Sequence, residues 1–325
     1  MPKCFAENNH VFVSVKGTTG LCCGIHRPRF NTIKEFKQSD FYNEWKETMK
    51  DGWHPACQSC QKKEEVGLNS KRSYYEKCKY FVEYSADNTC NLSCVMCDEN
   101  FSSTWERKKG IKSKNKEFED TDKIEWEKID LFKYMGGEPF MTPNLLDILK
   151  KIPDEATINL STNLTFFPKE KILNELKRFA TVKLSCSIDG IDDVFEYIRN
   201  GAKWKECKEN LLKFKESDIF DTLTIVMTLQ ALNVHDVANV IHFAKENDIQ
   251  YTINFLFTPV GYTVEALPLN YRELIKDEYN EKFLNAPFIP ERFEKLKEAI
   301  EYNKNVLGSD INKIPEIREL IDYVN

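Results

Sequence analysis

The chain has 325 residues, of which 41% are hydrophobic and 30% charged, and its formal net charge is −6. This composition is typical of a soluble globular protein of one or two domains. The acidic balance argues against nucleic acid as a partner. We find no run of 18 apolar residues and no apolar signal core at the N-terminus, so we expect a cytoplasmic protein that does not cross a membrane.

The chain contains eleven cysteines, which is a high number for a protein of the cytoplasm. Disulfides are disfavoured in that compartment, so clustered cysteines are expected to bind metal. Two groups stand out, one in the first sixty residues and one in a short central loop. These are Cys4, Cys22, Cys23, Cys57 and Cys60, and then Cys90, Cys94 and Cys97. They predict two metal centres, whereas the scattered Cys78, Cys186 and Cys207 are predicted to be core thiols.

The N-terminal stretch predicts a β-hairpin followed by two helices. Residues 11–15 alternate and are β-branched, which predicts a strand, and residues 16–20 have turn chemistry. Leu21 is expected to begin the returning strand. The second helix begins near Asp40, a candidate N-cap, and ends before Pro55.

The hairpin would bring Cys22 or Cys23 close to Cys4. Cys57 and Cys60 have the CxxC spacing of two thiols that bind one metal. Together with Cys4 and one of the adjacent pair, they complete a set of four thiolates. The residue types alone fit either zinc or an iron–sulfur cluster.

The central loop carries Cys90, Cys94 and Cys97 at spacings of four and three residues. Three thiolates this close can hold three irons of a [4Fe–4S] cube. The fourth iron would stay open for a small molecule that carries an amine and a carboxylate. The alternatives are a zinc loop and three unrelated buried thiols, although zinc sites usually contain two CxxC-like pairs.

Beyond residue 80, short apolar runs alternate with helical patterns. The predicted strands are Tyr80–Ala86, Leu131–Met135, Ala156–Ser161, Val182–Ser187, Leu223–Leu229 and Tyr251–Phe257. The predicted helices between them include Asn144–Ile152, Lys169–Phe179, Ala202–Glu216 and His235–Asn247. This alternation predicts a parallel sheet, and in parallel α/β barrels the chemistry lies at the carboxyl ends of the strands.

The CxxxCxxC loop, with the apolar Met96 before its last cysteine, resembles the signature loop of radical S-adenosylmethionine (SAM) enzymes. A second motif, Gly136-Gly137-Glu138-Pro139, follows the second predicted strand and resembles the GGEP motif of the same family. The resemblance implies a partial (β/α)6 barrel of the TIM type. It also implies that Cys90, Cys94 and Cys97 hold a [4Fe–4S] cluster, and that the GGEP backbone and Glu138 receive the amino group of SAM.

Polar residues at later strand ends match positions where relatives contact the cofactor. The resemblance assigns this role to Ser161, Thr162, Asn163, Ser187, Asp189, Arg199 and Asn233. A guanidinium suits a carboxylate, so that of SAM is the implied target of Arg199. The alternatives are a polar loop with a helix cap for Thr162 and Asn163, and a surface ion pair for Arg199.

The N-terminal cysteine module resembles those of twitch/SPASM-like proteins, in the subset that carries the module first. This implies an auxiliary iron–sulfur cluster, which we favour over structural zinc, with Cys22 preferred to Cys23. The predicted division is an auxiliary module over 1–79, a radical SAM barrel over 80–258 and a C-terminal helical segment over 259–325.

The resemblance implies that SAM is cleaved reductively to a 5′-deoxyadenosyl radical, which abstracts a hydrogen atom from the substrate. The auxiliary cluster would take an electron from the substrate radical, bind the substrate or relay electrons. We rank a peptide, amino acid or other small molecule first as the substrate, and expect an electron donor such as flavodoxin or ferredoxin. The alternatives are a nucleoside or nucleotide substrate, and a non-catalytic iron–sulfur or zinc protein that senses redox state or acts as a scaffold.

Overall fold

A computed structural model describes the chain except for residues 1–3, 8, 26–27, 75–77, 86, 114 and 325. The strands are β1 His10–Val13, β2 Thr19–Gly20, β3 Phe81–Ser85, β4 Leu131–Met135, β5 Thr157–Thr162, β6 Thr181–Ser187, β7 Thr222–Leu229 and β8 Gln250–Phe255. The six strands predicted after residue 80 all form, as β3 to β8, with ends that differ by at most two residues from those predicted.

The helices lie between and after the strands. They are α1 Ile33–Gln38, α2 Asp40–Asp51, α3 Gln58–Glu65, α4 Lys71–Tyr74, α5 Ser103–Lys109, α6 Leu145–Leu149, α7 Glu170–Leu176, α8 Asp192–Ile198, α9 Trp204–Glu216, α10 Val237–Glu246, α11 Leu269–Leu274, α12 Pro290–Leu307 and α13 Pro315–Val324. None of the α-helices in the described part of the chain is long and apolar enough to cross a membrane.

The eight strands form one sheet in the order β2-β1-β3-β4-β5-β6-β7-β8. Strands β3 to β8 are parallel to their neighbours, β1 pairs in parallel with β3, and β1 and β2 pair antiparallel. The first and last strands of the sheet do not pair, so the sheet is not closed. The prediction of an α/β fold with a partial parallel barrel is therefore confirmed.

Alternating side chains give the central strands two different faces. In β6, Val182, Leu184 and Cys186 are buried in the main core. Lys183 and Ser185 lie between them in sequence and line a cavity on the other face. Because successive residues of a strand point to opposite faces, the outer face packs against the helices and the inner face is polar.

The N-terminal hairpin differs from its prediction in two details. The returning strand β2 covers only Thr19–Gly20 and ends before Leu21, so Cys22 and Cys23 lie in a turn. Helix α2 is capped by Ser39, whose hydroxyl accepts from the Tyr42 amide at 3.2 Å, and not by Asp40. Asp40 is instead the first helical residue, where its charge suits the helix dipole.

A small core of its own supports the N-terminal helices. Leu21, Phe36, Tyr42, Trp45 and Met49 are buried together there. The main core contains Cys186 and Cys207, both fully buried as predicted, and the half-buried Cys78 packs beside Phe81 and Leu131. The predicted stripe of α12, formed by Phe293, Leu296 and Ile300, is also buried in the main core.

Candidate active site

The Cys90–Cys97 loop follows β3 and is anchored mainly by the start of α5. The Ser103 hydroxyl accepts from the Cys90 amide and the Thr104 hydroxyl donates to the Cys90 carbonyl, at 3.1 and 2.8 Å. Trp105 Nε1 donates to the Cys94 carbonyl at 3.0 Å. These contacts fix the backbone of the loop, so its three thiols are held in one region. Sequence reasoning missed this support, although Ser102 before α5 has the form of an N-cap.

Burial dominates the chemistry of the three thiols. It raises the pKa of Cys94 to about 11, although the Arg199 guanidinium acts in the opposite direction. Burial also raises the pKa of Cys97 well above its usual value, and the charges of Cys94 and Cys90 raise it further. Mutual repulsion of this kind requires that the sulfurs lie close together. Thiols must be deprotonated to bind metal, so a cation at this point would reverse these shifts.

The two glycines of the GGEP motif lie against the backbone that leads into the cysteine loop. A Cβ atom at Gly137 would lie 2.1 Å from the Thr89 carbonyl oxygen, and one at Gly136 would lie 2.7 Å from that of Asp87. Gly136 also has a φ of 128°, which side chains rarely tolerate. Glycine is therefore required here for the contact between two loops of the protein itself.

Glu138 is fully buried and connects the GGEP turn to the end of β5. Its carboxylate accepts from the Thr162 hydroxyl at 2.9 Å and from the Asn163 amide at 2.7 Å. Burial raises its pKa to about 7. The Asn163 side chain continues the chain of contacts and donates to Cys90 Sγ at 3.7 Å. Glu138, Thr162 and Asn163 thus meet as one group beside the first cysteine, with Pro139 buried at the next position.

Asp189 and Arg199 form a buried ion pair beside the second cysteine. Arg199 Nη2 lies 2.7 Å from Asp189 Oδ2, and Nη1 lies 4.0 Å from Cys94 Sγ. The surface ion pair considered for Arg199 is therefore not what the structure shows. Arg199 Nε is buried and has no hydrogen-bond partner within the described part of the chain.

The other residues implied by the resemblance lie at the same carboxyl edge of the sheet. The buried Asn233 side chain donates to the Asp189 and Thr228 carbonyls at 2.9 and 3.0 Å, so it joins the loops after β6 and β7. Ser161 and Ser187 line the inner cavity. Met96 is partly buried against the main core.

The N-terminal cysteines also come together. Cys4, Cys22, Cys57 and Cys60 all line one cavity of about 540 Å³ on the inner face of the sheet. Burial raises the pKa of Cys4 to about 12, and Cys57 and Cys60 act in the same direction. Within the described residues, no three or more His, Cys, Asp or Glu side chains are arranged to hold a single metal ion. That these four cysteines bind an iron–sulfur cluster or zinc therefore stays a prediction.

Cys23 has different surroundings from Cys22. Its thiol contacts Lys71 Nζ, and its backbone amide donates to Glu83 Oε2 at 3.0 Å. Glu83, fully buried on β3, also pairs with Lys71 at 3.0 Å and lies 3.3 Å from His10 Nε2. This network fixes the turn that presents Cys22 to the cavity, and sequence reasoning missed it because its members are far apart in the chain.

Comparison with known proteins identifies the family of the domain that contains this site. Residues 84–244 match the model described as the radical SAM superfamily. This part of the chain belongs to the radical SAM superfamily. The superfamily implies SAM and a [4Fe–4S] cluster as cofactors of this domain.

Two curated relatives of the radical SAM domain are named GTP 3′,8-cyclase. That of Desulforamulus reducens is 23% identical over 186 residues, which is 56% of this chain and 56% of the relative. That of Petrotoga mobilis is 22% identical over 192 residues, which is 56% of this chain and 57% of the relative. The chain thus spans little more than half the length of these relatives.

Two solved structures show a limited similarity to this chain. One is anSMEcpe with bound AdoMet, with a TM-score of 0.42, 17% identity and coverage of 68% of this chain and 59% of the other. Another is Streptococcus suis SuiB bound to the precursor peptide SuiA, with a TM-score of 0.42, 16% identity and coverage of 80% and 51%.

Proposed function

We propose that the protein removes a hydrogen atom from a small substrate bound between two iron–sulfur clusters. The first cluster would be held by Cys90, Cys94 and Cys97, and the auxiliary cluster by Cys4, Cys22, Cys57 and Cys60. One observation carries the proposal. The inner cavity is bordered by four of the five N-terminal cysteines and also by Ser161 and Ser187, near the carboxyl ends of β5 and β6.

The residues present fit the implied cofactors. The charge of Cys90 raises the pKa of Cys94, and the charges of both raise that of Cys97, so the three sulfurs lie in one region. Arg199 Nε is buried without a hydrogen-bond partner among the described residues, on the side chain that reaches Cys94, and a carboxylate of SAM would satisfy it. At the auxiliary site, Trp45 Nε1 donates to Cys57 Sγ at 3.3 Å, and such a contact supports a sulfur that bears negative charge.

When bound, the cluster and SAM supply the radical that abstracts hydrogen, and the protein supplies binding and orientation. Glu138 holds the end of β5 through Thr162 and the Asn163 amide, so it positions the polar residues next to Cys90. Asp189 holds Arg199 against Cys94, and Asn233 fixes the loop that carries Asp189. Burial of these groups excludes water from the side of the site where they lie.

The auxiliary cluster is proposed to accept an electron from the substrate or to bind it, because its cysteines border the same cavity. A flavodoxin or ferredoxin is the proposed electron donor. The peptide or amino-acid substrate stays a prediction. A nucleotide is a second candidate, because curated relatives of the domain are named GTP 3′,8-cyclase.

The experiment is the formation of 5′-deoxyadenosine from SAM under dithionite after anaerobic reconstitution of the clusters. We expect product from the native protein and none from Cys94→Ala, which removes an iron ligand. Cys78→Ala is the matched control, because Cys78 is half-buried but belongs to neither cysteine set. A fully loaded native protein that forms no 5′-deoxyadenosine would show that the enzyme proposal is wrong and favour the redox sensor or scaffold.

A further inference from the structure

Helix α5 lies on one side of the cysteine loop, and the buried ion pair of Arg199 lies on the other. The Cys94 carbonyl accepts from Trp105 Nε1 on α5 at 3.0 Å, whereas the Cys94 thiol lies 4.0 Å from Arg199 Nη1. The helix is seven residues long, so its two ends are separated by about 10 Å. The carboxyl end of α5 therefore lies close to the three cysteines, on the side of the loop away from the proposed SAM site.

The carboxyl end of α5 and the residues after it carry a concentration of positive charge. Residues 98–116 contain six Lys or Arg and three Asp or Glu, which gives this segment a formal net charge of +3 in a chain of −6. Arg107, Lys108 and Lys112 are exposed. None of these three forms an ion pair with another residue in the described part of the chain. The basic stretch ends at the exposed Glu117.

Two of the three acids in this segment are held by groups of the protein itself. Glu99 pairs with Lys109 at 2.7 Å. Glu106 accepts from the Ser113 amide at 2.6 Å and also lies near Lys112. These carboxylates offset only part of the positive charge, so the surface presented to solvent stays basic.

Two exposed apolar side chains lie among these cations. Phe101 is 45% exposed and Ile111 is 50% exposed. Phe101 lies in the turn between Cys97 and α5, and Ile111 directly follows the glycine that ends this helix. Transient protein complexes combine apolar contacts with a polar, charged rim, and weak electron-transfer encounters have the smallest interfaces of this kind. The mixture of charge and apolar area therefore suits a protein partner that binds briefly.

We propose that Phe101, Arg107, Lys108, Ile111 and Lys112 form a basic surface at which an acidic one-electron carrier of the flavodoxin or ferredoxin type docks. The proposal rests on the proposed function and deepens it by locating the site of the electron donor. The reduced carrier loses one electron and the cluster of the cysteine loop gains it, with no covalent bond formed or broken. None of the five residues lines the inner cavity, so a docked carrier leaves that cavity free for the substrate. Opposite charges on the two proteins would speed their association.

The test is calorimetric titration of the reconstituted protein with a purified acidic flavodoxin in its oxidised form. Lys108→Glu/Lys112→Glu reverses two charges of the basic surface and should weaken binding by about tenfold at low ionic strength, with a smaller effect of added salt. Lys150→Glu/Lys151→Glu makes the same change in charge at two exposed lysines at the end of α6 and is the matched control, which should bind as the native protein does. Ile111→Ser leaves the charge unchanged and should also weaken binding, so the surface is tested even if the charge reversal disturbs the cysteine loop.

A second readout compares two reductants in the formation of 5′-deoxyadenosine. Dithionite is a small reductant that needs no docking surface, so Lys108→Glu/Lys112→Glu should form the product at the native rate with it. With a limiting concentration of flavodoxin, reduced by its NADPH-dependent reductase, the same variant should be about tenfold slower. The Lys150→Glu/Lys151→Glu control should match the native protein with both reductants.

Several outcomes would overturn the proposal. They are unchanged flavodoxin binding in both surface variants, an equal loss in the control, and polyglutamate that binds as tightly as the flavodoxin, which would indicate a general anion surface. Slower product formation with dithionite, at unchanged flavodoxin binding, would assign the surface to the substrate instead. If the native protein binds flavodoxin through this surface but forms no 5′-deoxyadenosine with dithionite, the proposed function fails and the docking surface stands. Product with dithionite but no flavodoxin binding would overturn the docking surface alone.

Discussion

At the scale of single residues, two adjacent cysteines provide the sharpest contrast in this protein. Cys22 lines the cavity with Cys4, Cys57 and Cys60, whereas the Cys23 thiol contacts Lys71. The two side chains have the same chemistry and differ by one position. Their surroundings therefore separate a proposed ligand from a residue that supports the turn.

This contrast predicts the iron content of matched variants. Two [4Fe–4S] clusters give about eight irons per chain. We expect Cys22→Ser to retain about four, because the auxiliary set loses a ligand, and Cys23→Ser to retain about eight. Iron and acid-labile sulfide after anaerobic reconstitution are the measurements. Loss of iron in Cys23→Ser with full iron in Cys22→Ser would show that Cys23 is the ligand and Cys22 the supporting residue. About four irons in the native protein would rule out the second cluster.

At the scale of elements, the close contact between the GGEP turn and the Asp87–Thr89 backbone fixes the geometry of the site. Gly137→Ala should destabilise the protein by about 3 kcal/mol, because a Cβ atom would lie 2.1 Å from a backbone oxygen that cannot move aside easily. Urea unfolding measures the change. Gly52→Ala is the control, since a Cβ atom there has no neighbour within 4 Å, and its effect should be about 0.5 kcal/mol or less. Equal effects would show that the contact is loose.

A second element-scale prediction concerns Asp236 at the start of α10, which accepts from the Ile191 amide at 2.7 Å. Burial raises its pKa to about 6. The folded state thus holds a proton that the unfolded chain releases near pH 4, and this stabilisation is lost as pH rises through 6. A shift of this size corresponds to roughly 3 kcal/mol.

The measurement compares the native protein with Asp236→Asn, which cannot titrate. The free energy of unfolding of the native protein, relative to the variant, should fall by up to roughly 3 kcal/mol between pH 4 and pH 7. The exposed Asp218→Asn serves as the control and should follow the native profile. A constant difference between the native protein and Asp236→Asn would show that the carboxyl group titrates normally.

At the scale of the whole molecule, the sequence predicted the strands and loops that depend on a local pattern of residues. Alternation located β3 to β8, and cysteine spacing located the loop after β3. Long-range pairing was not predicted. The contact of His10 and Lys71 with Glu83 joins three separate segments of the chain, and no local sequence pattern predicts it.

The pairing of β1 with β3 gives the N-terminal hairpin a further consequence. The sheet would otherwise end at β3, whose residues Phe81 and Val82 are buried in the protein. An apolar strand with free backbone groups recruits strands from other chains and promotes aggregation. In the full chain, that edge is covered, and the outermost strand β2 is only two residues long. The hairpin of β1 and β2 therefore also covers a strand edge at which copies of this protein would otherwise be able to pair.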